Sequence, residues 1–152
     1  MNKILLVEDD PVHAELIIDE LNTGNINNEI ILMKDGQELI DYFQKTDIDG
    51  NVEMEFQIDL IISDLNLPKV HGMDVLKFLK NDPRYRSIPV IIFSTNTDSS
   101  TISEAYENGA VGFIIKPASF KEFAMNLRLV KQYWLVQNQI TRIESTAASV
   151  CN

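Results

Sequence analysis

The sequence contains a single cysteine, Cys151, which lies in a polar stretch near its end. One thiol cannot form a disulfide within this chain, and it cannot provide the several thiolates of a structural zinc site. Chemistry based on paired cysteines is therefore excluded. So little cysteine is typical of a reducing compartment, and we expect the protein in the cytoplasm.

Long apolar segments are missing as well. Runs such as residues 4–7 are far shorter than the roughly 20 residues that a membrane-spanning helix needs. The chain also does not open with a basic stretch followed by an apolar core, the pattern of a secretory leader. We therefore expect that the protein stays where it is made.

Basic residues are too few to balance the acidic ones. The chain has 13 Lys and Arg residues against 23 Asp and Glu residues, which gives a net charge of −10. Such a field repels nucleic-acid phosphates and anionic lipid headgroups, so neither is an expected partner. With 152 residues, 45% of them hydrophobic, the chain suffices for one domain and leaves no room for a second, catalytic one.

Five short segments rich in Ile, Val, Leu and Phe are predicted to be strands. They lack the alternation of half-exposed strands, which indicates a parallel sheet covered on both faces. The strands are residues 3–7, 29–33, 59–63, 90–94 and 112–115. Apolar residues recur between them with helical spacing, at Ala14, Ile17, Ile18 and Leu21, at Leu39, Ile40 and Phe43, at Val75, Leu76 and Leu79, and at Ile102, Ala105 and Tyr106. This alternation predicts an α/β fold with a doubly wound sheet, whose site lies at the carboxyl ends of the strands.

Local signals mark the ends of these helices. Asp10 before Pro11 predicts an N-terminal cap, and Gly109 predicts a left-handed residue at a C-terminus. Ser119 with Glu122 predicts a capping box that opens the last helix.

Two segments fall outside the pattern, a polar connection at 46–57 and a tail at 144–152. In the first, Asp47, Asp49, Gly50 and Asn51 suggest a calcium loop. The spacing disfavours one, because the glycine comes fourth where such loops need it sixth.

Acidic side chains follow the first and third predicted strands. Glu8 and Asp9 come after the first strand, and Asp64 comes after the third. If these strands are neighbours, the three carboxylates meet at one edge of the sheet and repel one another unless a cation compensates them. Oxygen ligands of this kind suit Mg²⁺ or Mn²⁺, with phosphate oxygen as a further ligand.

Two other strands supply a hydroxyl and an ammonium group. The fourth ends in Ser94, followed by Thr95, and Lys116 follows the fifth. A carboxylate nucleophile, a metal, a hydroxyl donor and a cation together are what phosphoryl transfer to an aspartate requires. Each group alone is common as a solvated surface residue, so it is their combination that indicates this chemistry.

The segments 4–11 (Ile-Leu-Leu-Val-Glu-Asp-Asp-Pro) and 64–72 (Asp-Leu-Asn-Leu-Pro-Lys-Val-His-Gly) resemble the response regulators of bacterial two-component systems. Ser94, five residues after Pro89, and the pair Lys116-Pro117 extend the resemblance, which covers residues 3 to about 134. It implies a flavodoxin-like receiver fold with five helices and the strand order 2-1-3-4-5. It also implies a sensor histidine kinase as phosphodonor, and output through conformational change and protein contact.

The resemblance implies a role for each residue that handles the phosphoryl group. Asp64 is the phosphoacceptor, Ser94 the switch hydroxyl and Lys116 the cation that neutralises phosphoryl charge. Phe113 is the switch aromatic, which moves after Ser94. Thr95 stands where the family commonly has a small residue, and it is the alternative hydroxyl.

The metal ligands implied by the resemblance are Asp9 and Asp64 directly, the backbone carbonyl of Asn66, and Glu8 through water. The aspartyl phosphate later hydrolyses, with a lifetime tuned by Asn66 and Asn96. Slow self-dephosphorylation is thus expected, without enzymatic turnover.

A narrower resemblance concerns the single-domain regulators that serve phytochrome-type histidine kinases. It rests on Thr95, the connection at 46–57 and Tyr133-Trp134-Leu135. We expect residues 1–136 to form the receiver domain and residues 137–152 to form a C-terminal helical extension and tail.

The last predicted helix carries two apolar stripes. One, expected to pack on the sheet, is Phe123, Leu127, Val130 and Trp134; the other is Met125, Leu129, Tyr133, Val136, Ile140 and Ile143. One helix cannot bury both in a domain of this size. Our hypothesis is a docking or homodimer surface formed with the fourth helix and fifth strand, and the alternative is a helix packed on its own domain.

His13 and His71 are expected to be surface side chains, because neither has partners at metal-ligand spacing.

Three other functions compete with this interpretation. A haloacid-dehalogenase-like phosphatase would need a second aspartate at position 66 as general acid, and Asn66 cannot supply that proton. A pseudo-receiver, folded but never phosphorylated, would be a binding module, and the presence of every expected group speaks against it. A P-loop nucleotidase is disfavoured because no Gly-x-x-x-x-Gly-Lys run follows a strand.

Overall fold

The computed structural model contains a single parallel sheet and describes residues 2–24, 28–48, 58–117 and 119–137, without the side chains of 46–48 and 136–137. The strands are β1 (Asn2–Val7), β2 (Asn28–Met33), β3 (Leu60–Asp64), β4 (Val90–Ser94) and β5 (Gly112–Ile115). Their order in the sheet is β2-β1-β3-β4-β5, and every neighbouring pair is parallel. The predicted fold class and strand order are confirmed.

Five α-helices connect and follow the strands. They are α1 (Pro11–Leu21), α2 (Gly36–Ile48), α3 (Gly72–Asn81), α4 (Ser99–Glu107) and α5 (Phe120–Val130), and α5 continues into a π-helical segment (Lys131–Gln137). Among the described residues, no helix has both the length and the apolar character needed to cross a membrane.

The helix ends follow their local sequence signals. Asp10 accepts hydrogen bonds from the N–H groups of Val12 and His13, at 2.9 and 3.3 Å, and so caps α1. Ser119 accepts one from the N–H of Glu122 at 3.4 Å, at the start of α5. Gly109 has a φ of 101°, the left-handed conformation predicted for it after α4.

The sheet is covered on both faces, as the unbroken apolar strands require. Leu5 and Val7 of β1 point into one apolar cluster, which is completed by α2, α3 and α4. Ile4 and Leu6 point into the other, which is completed by α1 and α5. All four of these β1 side chains are fully buried, and the acidic residues Glu8 and Asp9 follow at the carboxyl end of the strand.

Several predictions need correction. Strands β1 and β2 each begin one residue earlier than predicted, and β3 is shifted one residue later, so Asp64 is its last residue. Helix α2 continues through Ile48 and takes in the first residues of the predicted connection. Tyr106 does not face the core: it is 48% exposed, and its hydroxyl accepts a hydrogen bond from the N–H of Phe113. Trp134, in contrast, packs against the cluster that contains Phe123, Leu127 and Val130, as predicted, and the next residue, Leu135, is buried in that cluster as well.

Some predictions fall on parts of the chain outside the described residues. They concern the connection from Asp49 to Gln57, with Gly50 and Asn51 of the disfavoured calcium loop. They also concern Ile140 and Ile143 of the second stripe, the tail at 144–152 and Cys151 within it.

Candidate functional site

The carboxyl ends of β1 and β3 lie side by side at the centre of the sheet, because Val7 pairs with Ser63. Glu8 and Asp9 follow β1 directly, and Asp64 ends β3. Each of the three side chains offers a carboxylate oxygen, and these oxygens lie within 4.8 Å of one another. Glu8 and Asp64 are buried, whereas Asp9 is exposed. The sheet thus brings the three predicted carboxylates together.

Lys116 reaches the same place from the end of β5. Its backbone N–H donates to the carbonyl of Ser94 at 2.7 Å, which anchors it beside β4. Its Nζ donates to Glu8 Oε2 at 2.6 Å and to Asp64 Oδ2 at 2.9 Å. With 8% of its surface exposed, Lys116 forms a largely desolvated ion pair with both acids.

Burial sets the protonation of this cluster. It raises the pKa of the Glu8 carboxyl to about 7, although the hydrogen bond and charge of Lys116 act to lower it. Burial also acts to lower the pKa of the Lys116 ammonium, but the hydrogen bonds to Glu8 and Asp64 outweigh it and leave that pKa above its usual value. One ammonium therefore faces three acids, which leaves negative charge for a further cation to compensate.

The two hydroxyl candidates differ in position. Ser94 is fully buried at the end of β4, and its Oγ accepts a hydrogen bond from the N–H of Asn96 at 3.0 Å. Thr95 is exposed. Ser94 therefore belongs to the packed edge of the sheet, whereas Thr95 extends from it.

Asn66 follows β3, and Phe113 lies on β5. Asn66 is exposed, and its N–H donates to Asp64 Oδ1 at 3.2 Å. This bond holds the backbone of Asn66 beside the Asp64 carboxylate. Phe113 is half-buried on β5, where it packs against the core cluster that covers one sheet face.

The arrangement combines an oxygen nucleophile with positive charge. Asp64 Oδ1 and Oδ2 are both held by donors, so the carboxylate has a defined orientation. The oxygen donors of Glu8, Asp9 and Asp64 fit a hard divalent cation, which prefers carboxylates, carbonyls and water. A buried carboxylate between an ammonium and such a cation is suited to attack on phosphorus, because both cations stabilise charge on the transferred oxygens.

Comparison with known families agrees with this geometry. The family model described as response regulator receiver domain matches residues 4–128. The chain belongs to the response regulator receiver family. This receiver is a phosphoacceptor signalling protein of a two-component system, and histidine kinases are the typical partners of its family.

Two relatives match the receiver over most of their length. The probable methanogenesis regulatory protein FilR2 of Methanothrix harundinacea is 34% identical over 136 residues, covering 90% of this chain and 85% of FilR2. The response regulator Rcp1 of Synechocystis is 30% identical over 132 residues, covering 87% of this chain and 88% of Rcp1.

Two crystal structures show the same architecture. The Mn²⁺-bound form of Rcp1 aligns with a TM-score of 0.81 at 29% identity. The alignment covers 90% of this receiver and 96% of the Rcp1 chain. The phosphorylated cyanobacterial phytochrome response regulator RcpA has a TM-score of 0.80 at 31% identity, with coverages of 90% and 95%. The receiver is therefore similar to phytochrome-associated regulators.

Sequence reasoning missed one residue of the receiver's site, His13. It was expected to be a surface side chain, yet the structure places its Nδ1 3.3 Å from Lys116 Nζ. The signal was its position in the first turn of α1, since the start of a helix that follows β1 faces the same edge of the sheet. His71, in contrast, is exposed as expected and caps α3 by accepting a hydrogen bond from the N–H of Met73.

Gly72 lets the loop after Asp64 pack against the strand end. A Cβ at Gly72 would lie 2.4 Å from the carbonyl oxygen of Asp64 and 2.7 Å from the Cα of Leu65. We expect Gly72→Ala to lower the free energy of unfolding by about 2 kcal/mol or more, because backbone must move. Urea denaturation measures this.

The matched control is Gly112→Ala, where the nearest atoms to a new Cβ belong to the Ile91 side chain at 3.6 Å. Its free energy of unfolding should change by less than about 1 kcal/mol. Equal losses in both variants would contradict the close approach at Gly72.

Proposed function

We propose that Asp64 accepts a phosphoryl group from a phosphohistidine of a sensor histidine kinase. An Asp64 carboxylate oxygen attacks the phosphorus and forms a P–O bond. The P–N bond of the phosphohistidine breaks, and its electron pair stays on the imidazole nitrogen. The observation that carries this proposal is the 2.9 Å contact of Asp64 with the buried ammonium of Lys116, beside two further acids. Lys116 would neutralise the transferred oxygens.

The metal in this proposal is Mg²⁺, for which Mn²⁺ can substitute. Asp9 and Asp64 would bind it directly, the carbonyl of Asn66 would be a further ligand, and Glu8 would act through water. When bound, the metal supplies positive charge to the phosphoryl oxygens. This oxygen-only donor set is what supports Mg²⁺.

Metal binding should be visible as a gain in stability. We expect added Mg²⁺ to raise the free energy of unfolding by about 2.7 kcal/mol at a concentration about 100 times its Kd, because it binds only the folded cluster. Asp9→Asn should abolish most of this gain. Thermal unfolding with and without Mg²⁺ measures it.

Asp10→Asn is the control for the metal experiment. It removes the same charge from the adjacent residue, and asparagine remains a good N-terminal cap for α1. Asp10→Asn should keep the Mg²⁺ response; loss of the response in this variant, or its survival in Asp9→Asn, would contradict the proposed ligands.

After phosphorylation, Ser94 would move to hydrogen-bond the phosphoryl group, with Thr95 as the alternative hydroxyl. Phe113 would follow into the space that Ser94 leaves. Such a step would link the site to the surface of α4, β5 and α5. The aspartyl phosphate would then hydrolyse slowly, so the protein is a phosphoacceptor and not an enzyme that turns over external phosphate esters.

The proposal is tested with the wild-type protein, Mg²⁺ and a small acyl phosphate donor. Intact-mass measurement should show one phosphoryl group that is lost on standing. Release of inorganic phosphate in many turnovers would indicate a phosphatase instead. A protein that neither gains mass nor releases phosphate would be a pseudo-receiver.

The finer partner proposal is a phytochrome-type histidine kinase in the cytoplasm. It is supported by the similarity to RcpA, a cyanobacterial phytochrome response regulator. Comparing phosphotransfer rates from purified kinases of different sensor classes would test it. If a kinase of another class transfers the phosphoryl group clearly faster, the proposal of a phytochrome-type partner is overturned, whereas the proposed role of Asp64 is not affected.

We also propose that the exposed part of the second stripe forms a homodimer surface. Met125, Leu129 and Tyr133 are 53%, 65% and 59% exposed on the last helix, and Ile115 on β5 is 40% exposed nearby in the fold. A groove of about 370 Å³ runs between strand and helix. It is lined by Phe113, Ile114, Ile115, Asn126, Leu129 and Val130.

In this proposal, residues 1–136 would form the receiver domain and residues 137–152 would form its C-terminal extension.

A charge on this surface should disrupt the dimer. We expect Leu129→Glu to shift the protein to a monomer and to weaken association at least about tenfold, because it places a charge in an apolar contact. Light scattering over a concentration series measures this. Leu32→Glu is the control, since Leu32 is 40% exposed on β2 at the other edge of the sheet. A wild-type monomer, or equal effects of both variants, would overturn the dimer proposal.

A further inference from the structure

His13 lies in the first turn of α1, where its side chain contacts Lys116, next to the site but outside the carboxylate cluster. Its ring is half-buried and makes an edge contact with the ring of Phe123 on α5, with 6.0 Å between centroids. Its Nδ1 lies 3.3 Å from Lys116 Nζ. The side chain therefore contacts the one cation of the site directly.

The contact with Lys116 defines the proton position on His13. An ammonium group has three N–H donors and no acceptor. Two of these donors point to Glu8 and Asp64, so the third is the one that faces His13. His13 Nδ1 must then be the acceptor, which requires a neutral ring with its proton on Nε2.

We propose that His13 is a positioning residue for phosphoryl transfer, because it accepts the third N–H of Lys116 and so holds the ammonium beside Asp64. This inference rests on the proposed function of Asp64. It assigns His13 no contact with the phosphoryl group: the residue acts through Lys116. With all three donors of Lys116 engaged, the ammonium has one preferred place, and the charge that stabilises the transferred oxygens is preorganised.

Protonation would reverse the effect of His13. A protonated ring cannot accept from Lys116, and it places a second positive charge next to the ammonium. The charged groups in contact with the ring are Lys116 and Asp10, whose Oδ2 lies 3.6 Å from Nδ1, while the contact from α5 is the uncharged Phe123. Glu8 and Asp64 lie beyond Lys116. A charged His13 would therefore turn towards Asp10 and release Lys116.

Two variants separate the hydrogen bond from packing. Asparagine places an amide oxygen near the position of Nδ1 and does not titrate, whereas leucine keeps the apolar contact with Phe123 and has no acceptor. The rate of phosphoryl uptake from a small acyl phosphate is measured with saturating Mg²⁺. At about pH 8 we expect His13→Leu to be about tenfold slower than wild type, and His13→Asn to stay within about twofold.

Recovery of the rate in His13→Asn is the readout that packing alone would not produce. Asparagine restores an acceptor for Lys116 but lacks the ring that contacts Phe123, whereas leucine fills the apolar contact and lacks the acceptor.

Two results would overturn the inference about His13. The first is a leucine variant as fast as wild type, and the second is an asparagine variant as slow as a folded leucine variant. A wild-type protein that takes up no phosphoryl group at all would overturn the proposed function, and this inference with it.

Discussion

Asp64→Asn should reduce phosphoryl uptake at least about 100-fold, because the amide is not a nucleophile toward phosphorus at neutral pH. The substitution keeps one of the two contacts of this side chain. The N–H of Asn66 donates to Oδ1 and Lys116 donates to Oδ2, and asparagine has a single acceptor oxygen, so its NH2 group faces one of these donors. Removal of one of the three clustered carboxylate charges offsets part of this cost, and the free energy of unfolding should change by no more than about 2 kcal/mol.

The measurement is intact mass over time after addition of Mg²⁺ and a small acyl phosphate. Asp19→Asn is the matched control, since Asp19 is exposed on α1 and the change in charge is the same. The control should gain one phosphoryl group at the wild-type rate. A labile phosphoryl group at wild-type stoichiometry on Asp64→Asn would exclude Asp64 as the acceptor.

Lys116→Met should produce the largest loss of stability in the absence of metal. It leaves the buried acids Glu8 and Asp64, which are 2% and 9% exposed, without their ammonium partner. Breaking a buried pair in this way costs about 3 kcal/mol of the free energy of unfolding. Urea denaturation in a metal chelator measures it, and Mg²⁺ should restore part of the loss.

The cost of Lys116→Met should depend on pH through Glu8. The pKa of Glu8 is raised in the folded protein from 4.5 to about 7, so folding favours its protonated form. A group with a raised acid pKa loses stability as the pH rises through the interval between the two values. Removal of Lys116 raises that pKa further, because a hydrogen bond and a positive charge are lost. The variant should therefore be closer to wild type at about pH 5 than at about pH 8.

Lys77→Met is the control for the loss of a cation. Lys77 pairs with Glu104 at 3.6 Å, but both side chains are exposed, at 43% and 50%. Such a surface pair contributes less than about 1 kcal/mol to the free energy of unfolding.

The double variant Lys116→Met with Glu8→Gln should recover part of the stability that Lys116→Met loses, since one buried charge is gone. Equal stability of Lys116→Met and Lys77→Met would contradict a buried ion pair at the site.

The site could be predicted well because its members stand at the ends of strands. A parallel sheet brings all carboxyl ends to one edge, so local sequence and strand order together placed Glu8, Asp64 and Ser94. The distances between those groups could not be predicted in this way. They depend on the register of β1 with β3 and on the path of the Lys116 side chain across the neighbouring strands.

The sequence did not reveal side-chain orientations that depend on how one secondary-structure element packs on another. Tyr106 fits an apolar helical stripe, yet its ring lies outside and its hydroxyl bonds to β5, because the orientation of α4 on the sheet is a tertiary property. Leu135 belongs to neither predicted stripe, yet it is buried beside Trp134, because the π-helical segment alters the helical rotation. Periodicity assumes a constant rotation per residue and cannot detect this change.

By itself, the sequence determined that this is an α/β receiver with its acids, hydroxyl and lysine at one sheet edge, because apolar runs, caps and strand ends are local properties. Only the tertiary structure decided that Lys116 bridges Glu8 and Asp64, that His13 joins it, and which side of the last helix is left exposed. Those facts depend on contacts between residues far apart in the chain, such as the 108 positions between Glu8 and Lys116. The packing of whole elements sets such contacts, and no local pattern encodes it.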